Sequence, residues 1–155
     1  MNLKKYLDKL SEQGFLKQEE IGFNQVRALL DSAFKNIKAS RKNLSIDEET
    51  CYTMAYNAMI KIARALIFLQ GFRPDDGQQH KTTIEVAGEI LGESFKNLIN
   101  KFDKMRQKRN RFIYDPAIPP SQEEANNAIK VAEEFYNKTK TFLEETNPQL
   151  KLLGF

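Results

Sequence analysis

Apolar residues recur every three or four positions along nearly the whole chain, and no stretch shows convincing alternation of period two. That rhythm allows helices and little else. It is cleanest over 46–70, where Cys51, Met54, Ala55, Ala58, Met59, Ile62, Leu66 and Leu69 share one helical face, with Ala65 beside them. The same spacing predicts a short helix over 2–13 through Leu3, Tyr6, Leu7 and Leu10. A longer one is predicted over 18–41 through Ile21, Val26, Leu29, Leu30, Ala33, Phe34 and Ile37. Further helices are expected over 79–91, 93–113 and 122–145, the last burying Ala125, Ala128, Ile129, Ala132, Phe135 and Phe142.

The breaks between stripes have local chemical causes. Gly14 ends the first helix. Ser45 with Glu48, and Ser121 with Glu124, read as capping boxes, in which each side chain satisfies a free amide at a helix start. Gly71 to Gly77 reads as a turn, because glycine frees the backbone and Pro74 cannot continue a helix. Gly92 offers a break or kink. Pro116, Pro119 and Pro120 make the connection before the last helix stiff. The tail from Pro148 to Phe155 is apolar enough to dock, at a place the pattern does not give. The expected fold is all-α: an up-and-down four-helix bundle with an additional short N-terminal helix, in a single domain over 1–155.

Composition agrees with that size and narrows the function. The chain has 155 residues, 41% of them hydrophobic, enough for one core without a staple. Its one cysteine, Cys51, excludes an internal disulfide framework, and its one histidine, His80, excludes a paired-histidine metal site. Cys51 falls on an apolar stripe and reads as a small buried hydrophobe. No metal and no cofactor is expected. The N-terminus has no apolar stretch after Lys4 and Lys5. The longest apolar run, Ala65 to Leu69, is far short of the ~20 residues a spanning helix needs. A cytoplasmic protein with no membrane segment is expected.

One helix departs from simple amphipathicity. With Phe95 at phase zero and ~100° per residue, Phe95, Ile99 and Phe102 point inward, with Leu98 close by. The same stripe then reaches Arg106, Arg109, Asn110 and Ile113, while Lys104, Gln107, Lys108 and Arg111 point away. Two readings stay open. The arginines pair with acidic residues of neighbouring helices, or lie over apolar surface with their heads in water. Alternatively, they line a cleft and hold a ligand anion, since guanidinium grips phosphate with a bidentate fork. Residues 101–111 carry a net charge of +5, and 122–145 carry −3. Charge complementarity between neighbouring helices accounts for this, and so does an electropositive bundle end that attracts phosphate. No phosphate loop, nucleophile elbow, HExxH or dinucleotide fingerprint is present.

The segment from Arg106 to Asp115, with Arg109-Asn110 at its centre, resembles the signature of the HEPN domain family. Three further segments resemble it in order: Ala55 to Ala58, Ala63 to Leu66, and Gly71 to Pro74 followed by His80-Lys81. The likeness spans roughly 15–145. It implies an all-helical bundle, a homodimer whose two signature segments flank one cleft, and RNA or nucleotide as ligand. Active family members are metal-independent ribonucleases in which an arginine stabilises phosphate and a histidine further along the signature helps proton transfer. Here Tyr114 stands at that histidine's position. A free tyrosine has pKa ~10 and is a poor base at neutral pH.

The resemblance implies phosphate binding through Arg109 without efficient catalysis, and the inward stripe adds Arg106 to that site. Asn110 would orient Arg109 or bond the ligand, and Tyr114 would stack on a base or donate a hydrogen bond. His80, at the start of another helix, reads as a capping or packing residue. The alternatives are a toxin-type endoribonuclease using Arg109 and Tyr114, or His80 brought across a dimer, and an interaction partner of a nucleotidyltransferase.

Overall fold

A computed structural model describes residues 2–154. Helix α1 (Leu3–Glu12) is capped by the Asn2 side chain. It is followed by a short strand β1 (Leu16–Gln18), then α2 (Phe23–Asn43), α3 (Glu48–Leu69), strand β2 (Phe72–Pro74) and α4 (Gln79–Leu91). A single 3₁₀ turn over Glu93–Phe95 leads into α5 (Lys96–Tyr114), and α6 (Gln122–Thr146) closes the order. The protein is all-α apart from the two strands, which pair antiparallel with Leu16 opposite Pro74 and Gln18 opposite Phe72.

That ribbon corrects two expectations. The helix expected from residue 18 starts at Phe23, and the turn at 71–77 contains a strand. Three residues are too few to show alternation, yet they suffice to tie the two connections together. The Glu19 amide also bonds to the Gly71 carbonyl at 2.9 Å. The capping box expected at Ser45 is absent as well. The Ile46 and Asp47 amides both bond back to the Asn43 carbonyl, at 3.0 and 2.9 Å, which carries the chain two residues further. Asp47 then caps α3 by accepting from the Thr50 amide at 3.0 Å. The Ser121–Glu124 box forms as the sequence predicts, with both reciprocal bonds at 3.0 Å.

Helix α3 is the axis of the core. It packs against α2, α4, α5 and α6. Enclosure on so many sides buries more than one stripe: Tyr52, Tyr56, Ile60 and Ile67 are buried along with the expected face, while Met54 and Leu69 at its margin are only half-buried. Alanines 55, 58, 63 and 65 are all fully buried and let neighbouring helices approach closely. Aromatic rings link the layers. Phe112 of α5 meets Tyr52 edge-on at 5.1 Å, and Phe102 lies between Tyr56 at 5.8 Å and Phe135 of α6 at 5.4 Å.

The tail has a defined place. Leu150 is buried, the Leu153 carbonyl accepts from the Tyr136 hydroxyl at 2.7 Å, and Arg27 of α2 donates to the Gln149 carbonyl at 3.1 Å. Phe155 lies outside the described residues. Among the described residues no helix is long and apolar enough to cross a membrane. Cys51 is fully buried beside Ser40, 3.4 Å from its hydroxyl, and burial pushes its thiol pKa up, as suits a packing residue.

Helices α4 and α5 run antiparallel, so the start of α4 faces the last turns of α5. Their close approach depends on Gly88: a Cβ there would lie 3.3 Å from the Ile99 side chain. Gly92, at φ +89°, makes the reversal between them in a backbone region that other residues rarely adopt.

Candidate functional site

The inward residues of α5 are Leu98, Phe102, Met105 and Phe112, all buried. Their spacings are four, three and seven. The position that would split the seven into four and three is Arg109. An arginine therefore occupies a place that the rhythm of α5 assigns to a core hydrophobe. The expected stripe was turned slightly from this one. Ile99 is half-buried, and Ile113, expected inside, is 50% exposed, while its neighbour Phe112 is buried. The reason is Phe95, the origin of that phase, which belongs to the 3₁₀ turn, where each residue advances ~120° rather than ~100°.

Arg109 reaches the surface between α4 and α5. Its guanidinium carbon lies 5.6 Å from the centroid of the Tyr56 ring. It makes no ion pair among the described residues, and its Nε is buried without a hydrogen-bond partner. Among the described residues neither arginine pairs with a carboxylate of a neighbouring helix, and Arg109 lies over the Tyr56 ring, as the other half of the first reading of the stripe allows. Arg106 Nε donates to Asp103 Oδ1 at 2.8 Å, one turn back on the same helix.

Both arginines and Asn110 line one open cleft of about 620 Å³. Its other wall is the start of α4: Asp76, Gly77, Gln78, Gln79, His80 and Lys81. No side chain caps α4 at Gln78. The first amides of that helix are therefore available, and its dipole favours an anion. The one carboxylate in the lining, Asp76, is occupied by the Gln78 amide at 3.1 Å and the Thr82 hydroxyl at 2.5 Å.

His80 is the residue whose position the sequence did not reveal. It stands in this cleft with Arg106 and Arg109, and its Nδ1 lies 2.9 Å from the Tyr56 hydroxyl. Burial, and then the positive charges of Arg109, Arg64 and Arg106, hold the imidazole pKa below its ordinary value. Burial pushes the Tyr56 hydroxyl far up, against the opposite pull of Arg109 and Arg106. Arg64 and Tyr56 come from α3, so three helices contribute to the charge environment here. Apolar periodicity could find Arg109 because it interrupts a stripe. It could not find His80, because the first turn of a helix carries no phase relation to another helix.

Tyr114 lies apart from this constellation. It is 86% exposed and borders a neighbouring groove with Lys108, Arg111, Phe112, Asp115 and Ile118. Asn110 lines both that groove and the cleft. Lys108, expected to point away, forms an ion pair with Glu124 at the start of α6. Arg41 of α2 pairs with Glu133 further along α6. The opposed charges of α5 and α6 thus meet at Lys108, whereas the charge of Arg109 is left facing the cleft.

Comparison with known proteins agrees with this architecture. No curated protein matches the chain. The family model of the HEPN domain matches residues 26–142, which takes in α3, α4 and α5 with the whole cleft, and the chain belongs to the HEPN domain family.

Proposed function

We propose that the protein binds a phosphate-bearing ligand, RNA or a nucleotide, in the cleft between α4 and α5, without efficient catalysis. The observation that carries this reading is Arg109: a cation in a core position, with no ion pair among the described residues and its Nε unpartnered, opening onto a cleft whose other wall is a helix N-terminus. A half-buried guanidinium is costly to hold unpaired, and an anion would offset that cost. Arg106 lies beside it with its Nε already engaged, leaving its terminal nitrogens for a phosphate. The family's association with nucleotide and RNA binding gives the ligand class.

The test is titration of labelled oligoribonucleotide and of nucleotides into the protein and into Arg109→Ala. Loss of a charged hydrogen-bonding partner should weaken binding about 100-fold, and the slope of log affinity against log salt should fall by ~0.7 for single-stranded RNA. Equal affinity of the two proteins would sink the reading.

One observation favours the endoribonuclease alternative, namely that His80 and Arg109 share the cleft. RNA incubated with the protein in the presence of chelator separates the two. Strand cleavage that disappears in Arg109→Ala supports the enzyme; intact RNA across mildly acidic to mildly basic pH supports the binding protein.

A further inference from the structure

The hydrogen bond between Tyr56 and His80 determines which face of the imidazole a ligand meets. Tyr56 is fully buried, so its hydroxyl has no water to turn to, and His80 Nδ1 at 2.9 Å is the partner it has. A buried O–H that donates to nothing is costly, so the hydroxyl donates and Nδ1 accepts. The neutral ring must then carry its proton on Nε2. The neutral form is the favoured one, because the ring is partly buried and faces Arg64 of α3 with Arg106 and Arg109 of α5. With Nδ1 held by Tyr56, the Nε2 edge is the one left to meet a ligand in the cleft that His80 lines.

We propose that His80 is a ligand-contacting residue of this cleft, locked by Tyr56 as the Nε2–H tautomer and donating that hydrogen to a phosphate oxygen held by Arg106 and Arg109. The proposal rests on the phosphate-binding reading and specifies its chemistry. A phosphate group meets guanidinium donors from α5 on one side and a neutral N–H donor from α4 on the other. Tyr56 is a positioning residue: it touches the imidazole on one side and lies beneath Arg109 on the other. The same tautomer disfavours a base role. An Nε2 that already bears hydrogen cannot take the proton of a ribose hydroxyl. That role would need the opposite tautomer, with Nδ1–H donating into the Tyr56 oxygen.

The experiment uses the full chain and a 5′-labelled uridine decamer. His80→Ala should bind it about tenfold more weakly. His80→Gln, whose amide N–H reaches nearly as far as Nε2–H, should stay within about threefold of the parent. Nitrogen-15 spectra of the imidazole at neutral pH should show Nε2 protonated, and Tyr56→Phe should bring in the second tautomer. Decamer affinity unchanged in His80→Ala, or an Nδ1–H imidazole in the parent protein, overturns the proposal. If His80→Ala alone binds normally while Arg109→Ala does not, the histidine's role fails and the phosphate site stands. If both bind normally, the site itself fails.

Discussion

The seam between α2 and α3 and the cleft between α4 and α5 each hold a half-buried cation, and they treat it in opposite ways. Lys61 of α3 lies against α2, where its ammonium donates to the Ser32 hydroxyl at 2.7 Å and the Asn36 carbonyl oxygen at 2.6 Å. Two of its three hydrogens are thus held within the seam. Arg109 of α5 has a tyrosine face beneath it, an Nε with no partner and open space in front. The first cation is part of the packing. The second is left with an unpartnered Nε beside an open cleft, which is why we propose that a ligand anion completes it. Half-burial of a positive charge is therefore uninformative until its donors are counted.

Substitution at the two positions should separate these roles. Arg109→Leu restores the apolar rhythm of α5, so binding of oligoribonucleotide should fall about 100-fold. Stability toward urea should hold or rise by up to about 2 kcal/mol. A marked loss of stability would show that Arg109 serves the packing after all. Lys61→Met should do the reverse. It leaves the Ser32 and Asn36 oxygens without their donor, lowering stability by about 1–2 kcal/mol while affinity for RNA stays unchanged. Altered RNA binding in Lys61→Met would erase the distinction between the two regions.

The smallest effect concerns acidity. Because the His80 pKa is lowered in the folded chain, the unfolded chain binds the proton more readily. The stability this contributes is fully present above the ordinary histidine pKa of ~6.5 and is lost as pH falls below it. A melting temperature that declines between pH 7 and pH 5.5, and declines less in His80→Gln, is the expected result. The α2–α3 seam offers no histidine to produce such a slope.

How far the sequence could be read follows from the same contrast. Helices were legible wherever a stripe ran long enough to average out local error, and 79–91 for α4 needed no adjustment. Their joints were less so. Asp47 and Ser45 are both good caps, and only the turn closing on the Asn43 carbonyl decides between them. Three-residue strands carry no period to detect. Along the cleft, Arg106, Arg109 and Asn110 were legible because polar side chains interrupt a hydrophobic pattern on a single helix. Tyr114 was aligned with them by position in a signature, yet its side chain lies on the solvent side of α5. His80 and Tyr56 were hidden because their meaning arises between helices, from the antiparallel approach of α4 to α5 across α3. Periodicity describes one element at a time and is blind to such encounters.

The absent side chain of Gly88 takes on weight in that light. It is the contact at which α4 rests on Ile99, eight residues and about 12 Å along the helix from His80. The separation of two helices at one end follows from their approach at the other together with their crossing angle. Gly88 thus bears on the width of the cleft: a missing methyl group lets α4 come close to α5, and so limits the size of anion that the proposed imidazole and guanidinium site would admit.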